Sequence, residues 1–155
     1  MKHLLLVLLL CAAGSVLAES EPVITKEMAL QAATLFRKAD PFSEDARGYA
    51  AILIQFTEKS PAVVVEISRK AVPFLENKKI RQQELAILLA AFVAGNIDSQ
   101  LLRGKKKDDP YAGDLQVIET YREMRKKKSR LKIPEIEKLM ELEAAGKLKA
   151  HLAAK

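Results

Sequence analysis

Cations are the side chains of this sequence whose type and spacing point most directly to a partner. Lys105, Lys106 and Lys107 stand side by side after Gly104, and Arg122, Arg125, Lys126, Lys127, Lys128, Arg130 and Lys132 crowd into one stretch further on. Together they form a candidate site for an anion: lipid headgroups, lipopolysaccharide or another polyanion. Charge is divided unevenly along the chain. From Glu19 to Leu102 there are 10 basic and 11 acidic residues, and from Arg103 to Lys155 there are 15 and 9, so the net positive charge lies in the last third. The competing account is a solvated helix end. Successive helical residues point about 100° apart, which wraps Arg125 to Lys128 around a helix instead of lining them up. Cations there also complement the helix dipole. Nucleic acid is a poor candidate partner, because no aromatic side chains interleave with the basic ones.

Other chemistries are thinly supplied. His151 is the one histidine besides His3, and it sits close to the C-terminus, where a Ser/His or His-metal arrangement is hard to assemble. Asp108, Asp109 and Asp114 surround Tyr111-Ala112-Gly113, but their spacing misses the Asp-x-Asp-x-Asp-Gly pattern of a calcium loop. Asp109, just before Pro110, is expected to cap a helix. Glu119 and Glu123 lie one helical turn apart beside Lys126 and Lys127, a surface ion-pair pattern. No catalytic, cofactor-binding or metal-binding residue is assigned, no cofactor is expected, and a carboxylate-dependent hydrolase is the weakest functional expectation.

The N-terminus bears on where such a surface would work. Met1-Lys2-His3 is a short cationic segment, Leu4 to Ala13 is apolar, and Val16-Leu17-Ala18 offers small residues at −3 and −1. Residues 1–18 therefore read as a signal peptide cleaved after Ala18, leaving 19–155 as one domain. Lipid attachment at Cys11 is disfavoured, because Leu10 stands where a small residue is required. Cleavage removes Lys2 and the only cysteine, lowering the net charge from +6 to +5 and excluding a disulfide. A chain of this length buries enough surface to fold without one. The expected location is the periplasm or the exterior, with no membrane span after cleavage.

The elements that would position these residues are helical. From Leu85 to Ala94 no side chain is polar, and nearly every residue favours helix, which predicts a buried helix over 84–96 with Leu85, Leu88, Leu89 and Phe92 on its main face and Ala86, Ala90 and Ala94 on a second. Gly95-Asn96 is expected to end it, with a separate short helix over 97–103 closed by Gly104. Thr25, Ser43, Ser60 and Asn77 lie about 17 residues apart, one helix plus its turn, and paired they suggest units of about 35 residues. The tetratricopeptide pattern is absent. Further helices are predicted after Asp109-Pro110, with Tyr111 tucked inward, after Pro134, and from Leu148.

Ala62 to Ser68 is ambiguous. Val63, Val65 and Ile67 alternate as in a strand, yet no second strand is available to pair with it, so helix is favoured there. The expected fold is all-α: a compact bundle or short solenoid of about six to seven helices built from helical hairpins. Function follows by class. A helical interaction or scaffold module that binds another envelope protein comes first, and a protein that binds a polyanion or membrane surface through its basic last third comes second.

Overall fold

In the computed structural model, residues 23–154 are described. The expected signal peptide, residues 1–18, lies outside them. The described chain is all-helical: α1 Lys26–Lys38, α2 Glu44–Lys59, a 3-10 turn Pro73–Glu76, α3 Gln82–Arg103, α4 Pro110–Lys127, α5 Pro134–Ala144 and α6 Leu148–Ala153.

The first two helices start where side chains can satisfy their free amides. Thr25 accepts a hydrogen bond from the Met28 N–H and Ser43 from that of Ala46. Ser60 and Asn77 act differently. Their side chains accept from the amides of Ala62 and Lys79, two residues on, which closes a turn and starts no helix. The regular 17-residue spacing therefore breaks after α2.

Between those turns, Ala62 to Ser68 is neither the favoured helix nor a strand in a sheet; it is a segment without regular secondary structure that starts in a turn. Its missing strand partner is replaced by a side chain. The Gln100 carboxamide accepts from the Val64 N–H (3.0 Å) and donates to the Val64 carbonyl (2.6 Å), while the Glu66 N–H reaches Asp108 Oδ1 (3.0 Å). An amide side chain carries the same donor and acceptor as a peptide group, so one glutamine supplies two of the bonds that a neighbouring strand would have made.

The helices predicted over 84–96 and 97–103 are one continuous helix, α3, ending at Gly104 in the left-handed conformation with φ 62°. Gly95 and Asn96 do not stop it, because Gly95 is where α4 crosses. A Cβ on Gly95 would collide with the Ala112 carbonyl and lie 2.9 Å from Gln116 Cβ, and a Cβ on Gly113 would lie 2.6 Å from the Phe92 ring. Two glycines thus let the backbones approach, and Phe92 fills the space over Gly113.

By length and hydropathy α3 could cross a membrane. Instead α1, α2 and α4 enclose it. Leu88, Phe92, Ala90, Ala94 and Ile97 are fully buried. Leu85 and Leu89, expected beside them, are only half-buried, and Ala86 is exposed, because these three share one face of α3 with Gln82, whereas Glu84, Ile87, Leu88 and Ala91 form the buried one. A smaller core of Ile118, Leu139 and Leu148 joins α4, α5 and α6, with Tyr111 and Leu115 packed at its edge.

The crossing sets a contrast between two glycines. A Cβ added to Gly48, on the exposed side of α2, would meet nothing within 4 Å. Gly48→Ala should stabilise the domain by about 0.5–1 kcal/mol through helix propensity. Gly95→Ala should instead destabilise it by about 1–3 kcal/mol, since the overpacking outweighs that gain. Thermal denaturation of the two variants checks both signs.

Candidate functional site

A buried polar network lies in the C-terminal half of α3. Asn96, fully buried, donates from Nδ2 to Asp108 Oδ1 (2.6 Å), and its Oδ1 accepts from Gln100 Nε2 (2.6 Å) and from the Asp109 N–H (3.1 Å). Asp109 caps α4 through the Ala112 N–H (3.1 Å), and its other oxygen accepts from Ser99 Oγ (2.5 Å) and from Arg103 (3.2 Å). The expected cap is therefore present, within a larger network. Asp109 spends both oxygens on α3 and the start of α4, and Asp108 spends Oδ1 on α3 and on the Glu66 amide.

That network fixes the loop carrying the first basic run. Gly104 turns the chain, the Lys105 N–H donates to the Gln100 carbonyl (3.0 Å), and the Lys107 N–H donates to the Lys105 carbonyl (2.9 Å). A cavity of about 300 Å³ opens here. Its wall includes Ser99, Arg103, Lys105, Lys107, Tyr111 and Lys149 beside the two aspartates. Lys106 is exposed and forms no part of that wall. Arg103 and Lys149 stand outside the basic runs of the sequence, and no local pattern marks Lys149, because α6 brings it to the loop across more than forty intervening residues.

The second basic run has a different fate. Arg122 pairs with Glu119 and Glu143, Arg125 with Glu137, Lys126 with Glu123, and Lys127 with Asp40. Lys128 bridges to buried Glu84 (3.0 Å) and also lies 3.9 Å from the centre of the Phe42 ring. Four of these five cations, all but Lys126, tie α4 and its C-cap to α3, α5 and the loop after α1. Arg130 and Lys132 are exposed, with no ion pair among the described residues. Of the ten candidate cations, two converge on a cavity: Lys105 and Lys107.

The remaining chemistry is dispersed. Among the described residues no three His, Cys, Asp or Glu side chains are grouped to hold a metal ion. His151 lies on the wall of a separate, mostly apolar groove of about 600 Å³ with Pro73, Pro134, Leu139 and Leu142. Two cations at its rim, Arg69 and Lys138, already face Glu76 and Glu141. Asp114 does not join Asp108 and Asp109. It is fully buried one turn along α4, and neither of its oxygens has a hydrogen-bond partner among the described residues. Burial pushes its pKa up to about 8, so it holds a proton at neutral pH. Tyr121 is also raised by burial, but its hydroxyl is occupied: it accepts from the Ile133 N–H (2.9 Å) and holds the loop before α5.

No protein-family profile, characterised protein or solved structure matches the chain, so function is argued from the site itself.

Asp114 gives a pH dependence with a definite sign. The folded state keeps this proton up to about pH 8 whereas the unfolded chain releases it near 3.8, so across that interval the folded state binds more protons. Stability contributed by this residue is therefore full in acid and falls as pH rises through the interval. Denaturant titrations at pH 5 and pH 8 should show the fall, and Asp114→Asn should flatten it.

Proposed function

We propose that the protein is an exported, non-catalytic helical module that holds an anionic partner in the cell envelope through the basic end formed by the 104–109 loop and α6. One observation carries the reading. Lys105, Lys107 and Lys149 have no ion pair among the described residues and share a cavity, whereas the cations from Arg122 to Lys128 are each matched to a carboxylate. Unmatched cations on a loop held in place by a buried network retain their charge for a partner at little ordering cost.

This reading takes up the second sequence expectation, a protein that binds a polyanion or membrane surface, and centres it on Lys105, Lys107 and Lys149 in place of the run from Arg122 to Lys132. Export rests on residues 1–18, and the packing of α1 against α2 supports one helical hairpin. The irregular segment after α2 gives no support to a longer solenoid. The polar network that presents the lysines also ties up Asp108 and Asp109, which favours a holding role over acid–base work.

Binding of the purified protein to dextran sulfate should be measurable at low ionic strength and should weaken steeply as salt is added. Binding unchanged by salt would refute an electrostatic interface. For the location, mass spectrometry of the protein recovered from the envelope or medium should find Glu19 at the N-terminus.

A further inference from the structure

Within that interface, and resting on the same reading, we propose that the cavity between the 104–109 loop and α6 is a subsite for a phosphate monoester carried on a sugar-sized group.

The argument begins with charge. Lys105, Lys107 and Lys149 come to one cavity from two separate elements, and Arg103 adds a guanidinium of which one nitrogen is committed to Asp109. Four cations face two carboxylates there, and those carboxylates already accept from Asn96, the Glu66 and Ala112 amides, Ser99 and Arg103. The charge left over is about two positive units. A phosphate monoester carries about −1.5 to −2 at neutral pH and presents three strong acceptor oxygens. Sulfate esters and carboxylates carry a single charge and leave part of the lysine cluster unmatched.

Hydrogen-bonding capacity points the same way. Each lysine offers three donors, Arg103 retains donors beyond the one facing Asp109, and the cavity wall includes Tyr111, whose hydroxyl can donate. Donors predominate in the cavity, because three of the four aspartate oxygens, Asp108 Oδ1 and both of Asp109, are already bonded within the network. At about 300 Å³ it stands at the small end of ligand sites, larger than a phosphoryl group needs and sufficient for an attached sugar. The half-buried ring of Tyr111 gives that sugar an apolar surface to rest on.

Its structural support is independent of the ligand. Lys105 is set by its own backbone bond to Gln100, and Lys107 by its backbone bond to Lys105, while Asn96 holds the far end of the loop through Asp108 and Asp109. The backbone that carries Lys105 and Lys107 is thus set before any anion arrives.

Isothermal titration calorimetry with glucose 6-phosphate and glucose 6-sulfate tests the ligand class. Glucose 6-phosphate should bind roughly tenfold or more tightly than the sulfate ester, from its additional charge. The variant Lys105→Gln/Lys107→Gln/Lys149→Gln should lose that binding by a similar factor. Lys78→Gln/Arg130→Gln/Lys132→Gln removes equal charge elsewhere and should retain it. Unchanged melting temperatures would show that both variants are folded. Vesicles of phosphatidylcholine with phosphatidic acid, whose headgroup is itself a phosphate monoester, distinguish the source. Binding that glucose 6-phosphate displaces assigns the subsite to a lipid headgroup, and binding of the soluble ester alone assigns it to a free phosphosugar; either supports the subsite. Equal affinity for the two esters, or full binding by the first variant, overturns it. If dextran sulfate still binds in that case, the anionic interface stands without the subsite; if it does not, both fall.

Discussion

The close approach of α3 and α4 at Gly95 and Gly113 is the constraint on which the rest of the structure depends. Each helix meets the other where a side chain is missing: the Ala112 carbonyl lies against Gly95 and the Phe92 ring against Gly113. This contact sets the distance between the two axes, and with it the span that the 104–109 loop must cross. It also brings Ser99 and Asn96 within reach of Asp109 and Asp108. A wider crossing would pull these pairs apart, release the loop, and scatter the lysines that the loop presents.

Around that crossing, polar side chains replace regular structure. Gln100 serves as a one-residue strand for Val64, Asp108 receives Glu66, and both are anchored by Asn96. Burying an amide costs free energy unless its bonds are made, and here the two buried amides are bonded on both their nitrogen and their oxygen atoms. Asp114 is the contrast: its carboxyl has no partner among the described residues, and its burial is tolerated by keeping the proton. The first turns of α4 and its cap thus carry, within six positions, one aspartate fully used and one isolated.

Much of this was legible in the sequence, and the misses have physical causes. Local capping chemistry was readable at Thr25, Ser43, Gly104 and Asp109-Pro110, because each depends on side chains and backbone preferences only a few residues away. Ser60 and Asn77 misled because the same side-chain bond that caps a helix also closes a turn. Gly95 read as a helix end, since its cause lies in the next helix, α4, beyond the reach of local pattern. The irregular course of Ala62 to Ser68 could not be recovered, because its partner is the amide side chain of Gln100 and no strand pattern marks that partner. For the site, Lys105 and Lys107 were visible as a run, but their separation from the neutralised run after Arg122 depends on carboxylates brought in by α3, α5 and the loop after α1.

The polar residues inside α3 bear on how such a chain could be delivered. A helix of this length and hydropathy resembles a stop-transfer segment, and a chain moving through a secretion channel risks lateral release into the lipid there. Asn96, Asp98 and Gln100 sit in its second half, and a carboxylate in hydrocarbon is costly to insert. In an exported chain, the side chains that knit the folded domain together would therefore also disfavour retention in the lipid. Replacing the buried amides with leucine to fill the core would make a better membrane anchor of the helix around which the fold is built.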